Sequence, residues 1–176
     1  TYKTVTYTNP LDSDATNLVQ NPTMEGAGSD VTVRTNLITN PNFEGDTTGW
    51  SATGATITKN TSEKVVGGAS LSVACTASGN LVKTASKISV SSSMTYTLSA
   101  FVKAASGKTL DIKMNEYSSS DVLGQTVLTS VTGNGSWQRV TVEVTTSGTG
   151  VKLEPVFENT TAGANTFYVD AVLLEN

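Results

Sequence analysis

Two stretches alternate apolar and polar residues without a break: Leu110-Asp111-Ile112-Lys113-Met114 and Val140-Thr141-Val142-Glu143-Val144. Successive side chains of an extended strand point to opposite faces, so each stretch predicts a strand with one buried and one wet face. Further short runs recur at regular spacing, at 36–39, 53–59, 70–76, 82–90, 94–104, 109–117, 124–131, 137–145, 150–159 and 166–174. Glycine-containing turns separate several of them: Gly67-Gly68, Ser106-Gly107-Lys108, Gly133-Asn134-Gly135 and Ser147-Gly148-Thr149-Gly150. Short strands punctuated in this way predict an all-β fold, a two-sheet antiparallel sandwich. The 30 Thr and 20 Ser agree with this. Thr suits a half-buried pleated surface, and Ser suits the turns between strands.

One near-duplicate interrupts the pattern. Asn17-Leu18-Val19-Gln20-Asn21-Pro22-Thr23-Met24-Glu25-Gly26 returns as Asn36-Leu37-Ile38-Thr39-Asn40-Pro41-Asn42-Phe43-Glu44-Gly45. Only the second copy is followed by enough chain to build a sandwich. We therefore divide the chain into residues 1–35, an extended connector with a truncated copy of the motif, and 36–176, the folded module. The first residue is Thr1, and the chain reads as a piece of a larger polypeptide whose other domains are its neighbours.

Composition excludes several classes of function. A net charge of −4 and a pI near 4.7 oppose nucleic-acid binding, which needs clustered Lys and Arg. No apolar run approaches the roughly 20 residues that span a bilayer, so membrane insertion is not expected. Without histidine the chain has no Ser-His-Asp or Cys-His nucleophile system and no His-ligated zinc. Its one cysteine, Cys75, shares a strand face with Leu71 and Val73 and reads as a buried, inert thiol. Glu154 and Glu158 sit about 13 Å apart on an extended strand, too far for a glycosidase pair of about 5 or 9 Å. An enzyme is not expected.

Taken in order, five segments resemble the carbohydrate-binding modules of families 4, 9 and 22, a jelly-roll superfamily. They are the opening at residues 36–44 followed by Gly49-Trp50; Gly67-Gly68-Ala69-Ser70-Leu71; Tyr96-Thr97-Leu98-Ser99-Ala100-Phe101-Val102; Gly135-Ser136-Trp137-Gln138-Arg139-Val140; and the closing Phe167-Tyr168-Val169-Asp170-Ala171-Val172. Such modules also resemble accessory domains of phage tail and receptor-binding proteins, as well as of glycoside hydrolases. The resemblance implies a jelly roll and a structural Ca²⁺ held by Glu44, Asp170 and backbone carbonyls near Gly67 and Gly68. A hard cation takes six to eight oxygens. The competing reading is that both carboxylates only accept backbone N–H groups at turns.

A ligand face follows from the alternation. With Leu110, Ile112 and Met114 inward, Asp111, Lys113, Asn115 and Tyr117 point outward. The same logic turns Phe101 and Lys103, Lys152, Glu154, Val156 and Glu158, and Arg139 and Glu143 outward. If these strands share one sheet, Phe101, Lys113, Asn115, Tyr117, Arg139, Glu154 and Glu158 form a groove suited to sugar hydroxyls and ring faces. The competing reading is a solvated face with weak cross-strand ion pairs. Trp50 and Trp137 are expected to pack in the core or at its rim. These features predict a non-catalytic module that binds a cell-wall or capsular glycan, on an extracellular or virion protein. The alternative is a spacer or oligomerisation domain of a phage tail or adhesin that binds no sugar.

Overall fold

The computed structural model describes residues 35–176; the duplicate at 17–26 and nearly all of the proposed connector lie outside them. The described chain has eleven strands and no helix. In chain order they are β1 (Trp50–Thr53), β2 (Ala55–Asn60), β3 (Ser70–Cys75), β4 (Leu81–Thr84), β5 (Ile88–Ser89), β6 (Thr95–Ala104), β7 (Thr109–Tyr117), β8 (Leu123–Thr132), β9 (Trp137–Thr145), β10 (Lys152–Asn159) and β11 (Asn165–Glu175). Sheet A runs β1-β4-β10-β7-β8, with β5 also paired to β10, and sheet B runs β2-β3-β11-β6-β9. All pairings are antiparallel. This is the expected two-sheet jelly-roll sandwich.

The period-two pattern explains the core. Leu110, Ile112 and Met114 of β7 and Leu153 and Phe157 of β10 are fully buried from sheet A, and Tyr96, Leu98, Ala100 and Val102 of β6 are buried with Phe167 and Val169 of β11 from sheet B. Cys75 joins them, and burial pushes its thiol up to about 11. Each fully buried large aliphatic side chain contributes about 1.5–3 kcal/mol relative to exposure.

Three expected strands differ. Residues 53–59 divide at Gly54, whose φ of 69° breaks the extended run, a conformation that glycine adopts without steric cost. Residues 82–90 divide into β4 and β5 because the chain bends at 85–87. Residues 36–39 form no strand, yet they are tied to β11: Leu37 N donates to Leu174 O at 2.9 Å, and the Asn36 side chain bridges Val172 O and Leu174 N at 2.9 and 3.0 Å. The opening motif thereby reaches the closing strand, and Phe43 ends fully buried against Trp50, with ring centroids 5.4 Å apart.

Candidate functional site

Sheet A presents its outward-facing set as one surface. The register pairs Glu154 with Asn115, Val156 with Lys113 and Glu158 with Asp111 between β10 and β7, and Val156 with Lys83 between β10 and β4. A depression of about 300 Å³ opens there, lined by Thr53, Leu81, Lys83, Lys113, Asn115, Thr126, Glu154, Val156 and Glu158. Thr53 comes from β1 and Thr126 from β8, the two outer strands of the sheet. Strands lie about 4.8 Å apart, so side chains from both edges line one hollow because the sheet curves around it. Val156 is 2% exposed yet stands apart from the inter-sheet core; it is the apolar floor of the groove.

Polar side chains are fixed above that floor. Glu154 accepts from Lys83 at 2.9 Å and from Tyr117 Oη at 3.0 Å, with Asn115 Nδ2 at 3.5 Å. Its burial works to raise the carboxyl pKa, but the bonds from Lys83, Tyr117 and Asn115 outweigh it and hold Glu154 below the usual glutamate value. Tyr117 moves the opposite way, raised first by burial and then by its bond to the Glu154 carboxylate. Lys113 pairs with Glu158 at 2.8 Å. A bonded pair that lines a hollow offers both a donor and an acceptor to a sugar diol without leaving a buried charge alone.

Lys113, Asn115, Tyr117, Glu154 and Glu158 are therefore brought together. Phe101 and Arg139 are not. They face each other across β6 and β9, strands of sheet B, on the far side of the sandwich, where Arg139 reaches Ser99 Oγ at 3.4 Å. The groove therefore lacks these two residues: alternation gives the outward face correctly, but the condition that all four strands share one sheet is not met. Lys83, Thr53, Thr126 and, at one end, Lys87, Asp121 and Lys152 belong to the surface instead. Lys152 was legible as outward from its strand. Lys87 and Asp121 sit in connections that have no period.

Trp50 is 6% exposed between Phe43 and Phe157, and its indole N–H donates to Asn40 O at 3.2 Å. Trp137 is half-buried against Tyr168, with centroids 6.4 Å apart, at the start of β9. Neither tryptophan lines the groove.

Glu44 and Asp170, from opposite ends of the module, both grip the β2–β3 connection. Glu44 accepts from Gly68 N at 2.9 and 3.0 Å and from Ala69 N at 3.3 Å; Asp170 accepts from Val65 N at 2.7 Å and Val66 N at 3.0 Å. Gly68 gives its N–H to Glu44, so only its backbone carbonyl is left to offer a cation. Asp170 is fully buried, and among the described residues no Lys or Arg pairs with it. Two carboxylates with lone pairs to spare suit calcium as part of its oxygen shell. Among the described residues, no group of three or more acidic, His or Cys side chains gathers to complete it, so the remaining ligands would be carbonyls or water.

A family described as carbohydrate binding domain matches residues 35–163. The fold is similar to a family 16 carbohydrate binding module (21% identity, TM-score 0.63, 79% of this chain and 99% of that one). It is also similar to the CBM22-1 xylan-binding domain of Paenibacillus barcinonensis (20%, 0.60, 76% and 88%). The enzymatically active domain of tailspike protein 4 of bacteriophage CBA120 matches as well (12%, 0.63), over 79% of this chain but 21% of that one. No curated protein matches the chain.

Proposed function

The chain belongs to a family of carbohydrate binding domains, and from that premise we propose that it captures glycan, without catalysis, in the groove on the outer face of sheet A. The observation that carries this reading is the convergence of Lys83, Lys113, Asn115, Glu154 and Glu158 on one hollow floored by Val156. Shallow polar recognition of this kind aligns donors and acceptors with hydroxyls and leaves a polymer free to run along the surface. A spacer domain has no need of ion pairs sunk into a curved sheet. The glycan we have in mind is a cell-wall or capsular polymer, met outside the cell by a secreted or virion protein such as a phage tail.

The test is a glycan array followed by titration calorimetry. Wild-type chain should bind at least one polymer, and Glu154→Gln should weaken it about tenfold, equivalent to about 1.4 kcal/mol. Arg139→Ala, on the opposite sheet, should leave affinity unchanged. No binding to any glycan at millimolar concentration would reject the proposal.

We also propose that a calcium ion takes Glu44 and Asp170 among its ligands. The support is that Asp170 is fully buried and, among the described residues, meets no Lys or Arg, its carboxylate being held only by the N–H groups of Val65, Val66 and Ala171. Such an ion would act on stability, since both carboxylates hold the β2–β3 connection and neither lines the groove.

A further inference from the structure

The groove does not end evenly. At one end a second hollow of about 430 Å³ adjoins it through Lys83 and Glu154, lined also by Ala85, Ser86, Lys87, Asp121 and Lys152. Here Lys87 and Lys152 both bond the same oxygen, Oδ1 of Asp121, at 3.1 and 2.9 Å. Elsewhere in the groove each ammonium has a glutamate of its own, Lys83 with Glu154 and Lys113 with Glu158. The two lysines at this end share one carboxylate, so the corner holds an excess positive charge in a chain whose net charge is −4.

That single anion is exposed. Asp121 belongs to the β7–β8 turn, where its N–H donates to Ser118 O at 3.1 Å, and its φ of 62° is one that non-glycine residues seldom adopt. Its side chain is 55% exposed, against 26% and 27% for the two lysines. An exposed carboxylate gains little from an ion pair in water, so an incoming carboxylate can replace it at small cost.

Tyr117 points the same way. It is the one aromatic side chain that the outward-facing strand residues of sheet A contribute, among the described residues. Lys87 Nζ sits 3.9 Å from its ring centroid. An ammonium over the ring occupies the face on which a neutral pyranose would stack.

Resting on the groove reading above, we propose that the glycan is acidic: a polymer bearing carboxylates, one of which displaces Asp121 from Lys87 and Lys152. The sugar ring carrying it lies toward Tyr117, and the neighbouring residues of the polymer run over Val156. No covalent step is involved.

The experiment measures binding of the full chain to polygalacturonate, alginate and hyaluronan, each beside its carboxyl-reduced form, with neutral xylan and mixed-linkage β-glucan alongside. At least one acidic polymer should bind, its carboxyl-reduced form at least about tenfold more weakly. Raising salt from about 0.05 to 0.5 M should weaken binding, because the contact is between exposed charges. Lys152→Gln should lose affinity, whereas Asp121→Asn, which removes the competing anion, should gain it. Both substitutions are at partly exposed positions, and thermal melts check that the variants are folded. Equal binding of acidic and reduced forms, binding of neutral polymers alone, or unchanged affinity in Asp121→Asn would overturn the acidic assignment and leave the groove reading intact. Binding to none of the polymers, extended to no binding on the wider array, would remove the groove reading itself.

Discussion

A Cβ added to Gly133 would lie 2.5 Å from the carbonyl oxygen of Ala105 and 2.6 Å from that of Ala104. These are backbone atoms held in place, since Ala104 O accepts from Gly135 N and Ala105 O from Lys108 N, both at 3.0 Å. Gly133→Ala should therefore destabilise the module by about 1–3 kcal/mol, as overpacking does. Gly148→Ala, with nothing within 4 Å and no left-handed φ, should stay within about 0.5 kcal/mol of wild type. Urea melts of the two variants check this, and equal midpoints would refute it. The turn at 133–135 was legible in the sequence from its Gly-Asn-Gly composition. The close approach of the 104–105 carbonyls was not, because it depends on where the β6–β7 connection passes. Glu116 teaches the same point. It continues the buried row of Leu110, Ile112 and Met114, and only the fold supplies the Ser147 and Gln125 donors that satisfy it at 1% exposure.

The β2–β3 connection is held from both ends of the module, by Glu44 of the opening segment and Asp170 of β11. The sequence pairs these two residues only through family resemblance, since 126 positions separate them. If calcium binds there, EDTA should lower the melting temperature of the wild-type chain, and Asp170→Ala should abolish the difference between chelated and calcium-loaded protein. The sign follows from linkage: a ligand that binds only the folded state raises its stability. An EDTA-treated sample that melts at the same temperature would remove calcium and leave the carboxylates as acceptors of backbone N–H groups.

At the scale of the molecule, acid should loosen the sandwich. Burial works to raise the pKa of both Glu116 and Glu154. Hydrogen bonds outweigh it and leave both below the ordinary value of 4.5, from Ser147 and Gln125 for Glu116 and from Lys83, Tyr117 and Asn115 for Glu154. A carboxyl whose folded pKa is depressed stabilises the fold above its unfolded pKa and loses that contribution as the pH falls through the folded value. The melting temperature should hold from pH 7 to about 5 and fall below 4.5. Glu116→Gln combined with Glu154→Gln should be less stable at pH 7 and should lose less on acidification. A double variant whose pH profile parallels wild type would refute the assignment.

What the sequence determined by itself was the all-β class, the outward-facing side chains of β6, β7, β9 and β10, and the burial of Cys75. All of these follow from a period of two and from side-chain chemistry, which are local. The tertiary structure alone decided which strands share a sheet. Pairing is set by contacts between distant residues, so Phe101 and Arg139 face outward as alternation requires and still lie across the sandwich from Lys113 and Glu154. The same pairing brought Lys87 and Asp121, from two aperiodic connections, to one end of the groove.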